Sequence, residues 1–191
     1  MTAINALGRA ELAALIVEAL ATANIEVVLV GGSCVCIYTN ERFGSFDLDF
    51  IDMTYARKKE IASALAELGF VPRQSTKYFE RKGCSWSIEF PTAPLAVGHE
   101  QITSDRVAEF ETAAGTIRLL SPTDCVKDRL LWWYLENDGQ CWEQALDVAN
   151  HHKILWDSLK VWHEGEGYAD QFDRFRIAVM SGGQHEYSTD S

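Results

Sequence analysis

No apolar run in the chain approaches the roughly eighteen residues that a membrane span requires. The first ten residues, Met1 to Ala10, lack a basic start, an apolar block and a small-residue cleavage site, so no export signal is read there. The five cysteines are odd in number and scattered, and none falls at zinc-finger spacing with a second Cys or His pair. Reduced thiols in a cytoplasm are the expectation, with Cys34 and Cys36 as small buried hydrophobes. Basic residues are scarce, 17 against 28 acids, for a formal charge of -11. A field of that sign works against broad attraction to nucleic acid or anionic membranes, although a local basic groove remains open. There is no internal repeat. The 191 residues suffice for one sizeable core, alone or with a helical appendage.

What is present centres on Val27 to Phe50. A buried β-branched strand, Glu26 to Val30, runs into Gly31-Gly32-Ser33; thirteen residues later comes Asp47-Leu48-Asp49-Phe50. Glycines let a ligand approach the backbone, and the amides of a turn entering a helix bind phosphate. Two acids one residue apart on a strand face the same way, so Asp47 and Asp49 can share a divalent cation while Leu48 and Phe50 face the core. A bare Asp-x-Asp is more often a solvated strand edge. The glycine turn ahead of it shifts the balance toward chemistry. Ser85 to Phe90 alternates Trp86, Ile88 and Phe90 on one face with Glu89 on the other, making Glu89 a third carboxylate of interest.

The remaining pattern is α+β. An amphipathic helix is expected over Glu11 to Ala23 with Asn24 as its stop, a short one over Cys34 to Tyr38, and a long one over Tyr55 to Leu68 stopped by Gly69. Strands are expected over Phe46 to Asp52, Phe70 to Arg73, Thr76 to Glu80 and Ser85 to Phe90. A hairpin turning at Ala113-Ala114-Gly115 joins two more, Arg106 to Thr112 and Thr116 to Leu120. Ser121-Pro122-Thr123-Asp124 opens a helical region near Pro122 to Glu136, Gly139 to His151, Ile154 to His163 and Ala169 to Met180. On that helix Trp132, Trp133 and Tyr134 are expected in a core. The domain expectation is a catalytic region over 1–120, a helical region over 121–181 packed on it, and a disordered tail over 182–191.

Gly31-Gly32-Ser33 and Asp47-Leu48-Asp49-Phe50 together resemble the defining motif of the DNA polymerase β-type nucleotidyltransferase superfamily. Glu89-Phe90-Pro91, Pro94 to Gly98, Leu120 to Leu130 and Glu143 to Leu146 resemble its small bacterial, toxin-associated branch. The likeness spans roughly Glu26 to Asn150. It implies a nucleotidyltransferase-type mixed β-sheet flanked by helices, followed by a C-terminal helical bundle. It also implies an Mg²⁺-dependent enzyme that moves a nucleoside monophosphate from an NTP such as ATP to a hydroxyl, releasing pyrophosphate. By that resemblance Asp47, Asp49 and Glu89 bind two Mg²⁺ ions, with Glu89 also near the acceptor hydroxyl. Gly31, Gly32 and Ser33 cradle the β- and γ-phosphates. Lys127 is a triphosphate contact or, with equal weight, the partner in a surface salt bridge to Asp124 or Asp128. The acceptor is a protein, a tRNA end or a small molecule; an antitoxin partner follows from the branch alone. The alternative is a non-catalytic nucleotide-binding or interaction module that retains the fold.

Overall fold

The computed structural model describes residues 4–73 and 75–182, so only Gly182 of the expected tail is described and the rest of it lies outside the described residues. Two compact units emerge: Met1–Ala96 with Gln101–Ser121, and Val97–Glu100 with Pro122–Ser191.

The first unit is built on β1 (Val27–Val30), whose residues Val27, Val28 and Leu29 are all buried. It is preceded by α1 (Arg9–Thr22) and followed by α2 (Gly31–Tyr38), β2 (Asp47–Asp52), α3 (Lys58–Glu67), β3 (Val71–Arg73), β4 (Ser75–Glu80) and β5 (Ser87–Glu89). The short β6 (Ala96–Val97) and β7 (Glu100–Gln101) form their own two-stranded ladder, which sequence periodicity missed because two-residue strands carry none. The hairpin β8 (Ala108–Thr112) and β9 (Gly115–Leu119) turns where expected.

The large sheet runs β3-β4-β5-β2-β1-β9-β8. Its central strands are mixed: β1 is antiparallel to β2 and parallel to β9, while β2 is parallel to β5. The fold is therefore α+β with a mixed sheet, as expected. Leu12, Ile16 and Leu20 form the buried stripe of α1, which lies against β1, β9 and α3. The helix ends at Asn24, in the left-handed region at φ 59°, where Ile25 N reaches back to Leu20 O at 2.9 Å. Gly69, at φ +79°, ends α3 in the same way through Phe70 N and Leu65 O at 3.1 Å.

The second unit holds α4 (Pro122–Glu136), α5 (Gly139–His151), α6 (Trp156–Gly165) and α7 (Ala169–Met180). Asp138 caps α5, its Oδ1 accepting from Gln140 N at 2.9 Å. Aromatics knit these helices together. Trp133 and Trp142 lie 4.3 Å apart by ring centroid, Trp142 meets Phe175 edge-on at 5.5 Å, and Tyr134 stacks on Tyr168 at 4.2 Å. Trp132, expected in this core, is 49% exposed instead, because the buried stripe of α4 turns past it.

His163 is fully buried in this unit, its Nδ1 donating to Leu159 O at 2.7 Å and its Nε2 accepting from the Tyr134 hydroxyl at 2.9 Å. Burial lowers its pKa below the ordinary 6.5, and the Lys127 charge pushes the same way. The folded state thus binds fewer protons than the unfolded chain just below pH 6.5. Stability contributed by neutral His163 is full above that value and is lost as pH falls beneath it. Thermal melts at about pH 7.5 and about pH 5.5 should show a lower midpoint at the acid end, with a smaller difference in His163→Gln. An unaltered difference in the variant would assign the acid sensitivity elsewhere.

Candidate functional site

The acids come together through strand register rather than sequence. Asp49 is opposite Glu89, and Asp47 opposite Ser87, across the parallel β2–β5 pair. Directly opposed residues on neighbouring strands project to one face, and so do residues two apart on one strand. Asp47, Asp49, Ser87 and Glu89 therefore share a face, while Leu48, Phe50 and Ile88 are buried on the other. Asp47 is exposed; Asp49 and Glu89 are half-buried. Ser87 donates its hydroxyl to Asp47 Oδ1. On the far side of β5, Tyr78 is opposite Glu89 and hydrogen-bonds to its carboxylate. That hydrogen bond, the Glu89 charge and then the charges of Asp47 and Asp49 raise the Tyr78 pKa above its ordinary value.

The glycine turn lies at the opposite flank of the acids. Val30, the last residue of β1, is opposite Asp49, so the chain leaves β1 directly beside the carboxylates. There α2 begins at Gly31, earlier than the expected Cys34, and Gly31 turns the strand-to-helix corner at φ +67°. A Cβ on Gly31 would stand 2.6 Å from Asp49 Oδ2, and one on Gly32 would stand 3.2 Å from Ser45 Oγ. The first glycine thus leaves room for the second acid. Replacing Gly31 with Ala forces a left-handed alanine against a carboxylate, with an expected stability cost of about 1–3 kcal/mol. Asp49 must also move. Denaturant midpoints check this; an unchanged midpoint would mean that the corner accepts a side chain at no cost.

Ser33 is fully buried. Its hydroxyl donates to the Asp47 backbone oxygen and accepts from Arg9 Nη1 at 2.6 Å. Arg9 itself is 4% exposed; its Nε and Nη2 reach the Glu41 carboxylate at 3.0 Å, and its guanidinium lies 4.6 Å from the Trp86 ring centroid. Arg9 therefore fastens the turn, the Glu41 loop and the start of β5 to α1. Sequence reasoning missed it. Its one local signal is a cation in the first turn of a helix, where the dipole disfavours positive charge. Ser87 was readable as the residue two before Glu89, whereas nothing local marks Tyr78.

Lys127 belongs to the helical unit. It is fully buried, with Nζ 2.6 Å from Glu100 Oε2, 3.0 Å from Ser158 Oγ and 3.5 Å from Asp124 Oδ1. Lys127 does pair with Asp124, but in the interior and not at the surface as expected; Asp128 instead pairs with Arg129.

Among the described residues no group of three or more His, Cys, Asp or Glu side chains forms a ready-made metal cage. Mg²⁺ does not need one, since it is typically held by one or two carboxylates plus substrate phosphates and keeps several waters. The paired Asp47 and Asp49, with no Cβ on Gly31 to crowd the second acid, fit that mode of binding.

Solved structures that share this architecture include two of one protein. One is the solution structure of the antibiotic-resistance factor ANT(2'')-Ia, with a TM-score of 0.52 and 14% identity over 90% of this chain and 95% of that one. The fold is of the nucleotidyltransferase type. The other is the crystal structure of ANT(2'')-Ia in complex with adenylyl-2''-tobramycin, with a TM-score of 0.50 and 15% identity over 88% of this chain and 95% of that one. No protein-family model matches the chain, and no curated protein matches its sequence. Among the described residues no helix is long and apolar enough to cross a membrane.

Proposed function

We propose that the protein is a divalent-metal-dependent nucleotidyltransferase that moves a nucleoside monophosphate from an NTP to a hydroxyl and releases pyrophosphate. The observation that carries this reading is the register that sets Asp47, Asp49 and Glu89 on one face beside the Gly31 corner. Asp47 and Asp49 hold Mg²⁺, with Glu89 completing the set. The bound metal supplies charge neutralisation across the phosphate oxygens. The backbone at Gly31 and Gly32 receives the β- and γ-phosphates, and Ser33, held by Arg9, fixes that turn against β2. Glu89 takes the proton of the attacking hydroxyl, and Tyr78 orients Glu89 before substrate enters.

The ANT(2'')-Ia complex with adenylyl-2''-tobramycin supports a small-molecule hydroxyl as acceptor here. A toxin-like role with an antitoxin partner has only the sequence resemblance behind it, and so does a tRNA or protein acceptor; a cytoplasmic setting has only the odd, scattered cysteines behind it. We assign Lys127 to holding the helical unit together, since Glu100, Ser158 and Asp124 already surround its ammonium.

Incubation with each α-labelled NTP, Mg²⁺ and a panel of hydroxylated acceptors tests the reading. Label transferred from one NTP with stoichiometric pyrophosphate is expected. Absence of both transfer and metal-dependent NTP binding leaves the non-catalytic module as the better account.

A further inference from the structure

A groove of ≈ 510 Å³ opens where β2 and β5 begin, lined by Phe46, Arg73, Glu80, Arg81, Lys82 and Trp86 among others. Ser87, which donates to Asp47, is part of the same wall, so the groove adjoins the acids. Its position follows from the strand order. The Gly31 corner leaves β1 on one side of β2, whereas this groove is walled by β5, β4 and β3 on the other. In phosphoryl and nucleotidyl transfer the attacking and leaving oxygens stand roughly in line across phosphorus. A triphosphate whose leaving end rests on the Gly31 corner receives its acceptor from the β5 side.

The groove has two chemical walls. Phe46 is 71% exposed, and its ring centroid is 6.4 Å from that of Trp86 at an interplanar angle of 32°. The exposed Phe46 ring, beside a half-buried Trp86 whose ring already carries the Arg9 guanidinium, is a shelf for another planar ring. The second wall carries three cations against one carboxylate. Arg73 pairs with Glu80 at 3.5 Å, but among the described residues neither Arg81 nor Lys82 meets an acid. Arg81 donates to the Leu68 carbonyl and to Asn5 Oδ1, both neutral. Counted over its lining alone, Arg73, Arg81 and Lys82 against Glu80, this wall has the sign opposite to the chain's net charge of -11 and attracts an anion.

We infer that this groove is the acceptor subsite of the proposed transferase and takes a small molecule carrying a planar aromatic ring and an anionic group. The ring lies on Phe46 and Trp86, and the anion faces Arg81 and Lys82. The inference rests on the nucleotidyl-transfer reading. In that reaction an acceptor hydroxyl oxygen bonds to the α-phosphorus and the α–β bridging bond breaks. Pyrophosphate departs with the bridging oxygen, and the hydroxyl proton passes to Glu89.

Calorimetric titration of the full chain without metal tests the subsite. AMP, which has a ring, an anion and free hydroxyls, is the probe; inorganic phosphate, tobramycin and a short single-stranded RNA are the comparisons. Phe46→Ala and Lys82→Glu, both at exposed positions, should each weaken AMP binding by about tenfold, as a lost stacking or charge contact does. Neither should alter Mg²⁺-dependent ATP affinity, and tobramycin should not bind. The inference is overturned if AMP does not bind, if both variants bind it as the wild type does, or if tobramycin or RNA binds in its place. A parallel loss of ATP affinity would overturn it too, by giving the groove to the triphosphate's base. Failure of the transferase reading is separate: it appears as wild-type protein without metal-dependent ATP binding.

Discussion

Asp47→Asn combined with Asp49→Asn should lower the proposed nucleotidyl transfer by at least about a thousandfold, roughly 4 kcal/mol of transition-state stabilisation, while leaving the fold intact. The first half follows from charge. Two carboxylates on one face can neutralise a divalent cation, and two amides cannot; without that cation the phosphate oxygens lose the partner that draws off developing charge. The second half follows from position. Asp47 is exposed, Asp49 is half-buried, and asparagine keeps the Oδ1 that accepts from Ser87. Circular dichroism and melting should therefore match the wild type while product formation disappears. Unfolding of the double variant would mean that these carboxylates hold the sheet together rather than a metal.

Lys127→Met has the largest expected effect on stability, a loss of about 3–5 kcal/mol. Methionine fills much of the volume, so the loss isolates the charge. Asp124 is 3% exposed at its side chain and Glu100 32%, so removal of the ammonium leaves one carboxylate buried beside a second, half-exposed one. Ser158 loses its donor as well. Chemical denaturation measures the cost directly. A variant with an unchanged midpoint and a lost affinity for nucleotide would instead make Lys127 a phosphate contact.

These effects show which parts of the molecule the sequence discloses. Local signals disclosed the elements: β-branched residues run through β1, Asn24 and Gly69 stop their helices, and Pro122 marks a helix start. Each depends on the chemistry of a few neighbouring residues, so single-chain patterning suffices. The two aspartates of the site were legible for the same reason, through the period of two in Asp47-Leu48-Asp49-Phe50. Glu89 was legible as a carboxylate on the polar face of its strand, but its alignment with Asp49 is a matter of register between strands some forty residues apart. No local pattern encodes that pairing.

Arg9 marks the boundary most clearly. It sits at the head of α1, far from the motif in sequence, yet it holds the Ser33 hydroxyl, the Glu41 carboxylate and the face of Trp86. Its role arises only when helix, turn and strand have been brought together. Ser33 illustrates the same point in reverse. The motif implies a phosphate ligand at Ser33, and the fold holds its buried hydroxyl between Arg9 and the Asp47 backbone, partners that no local pattern announces.

The central claim is that Asp47 and Asp49, with Glu89, make a metal site that binds triphosphate beside Gly31. Titrating ATP into the protein with and without Mg²⁺, for the wild type and for Asp47→Asn/Asp49→Asn, tests it most directly. Binding that requires Mg²⁺ in the wild type and vanishes in the double variant is the predicted result. Equal affinity with and without Mg²⁺, or affinity unchanged by the two substitutions, would contradict it.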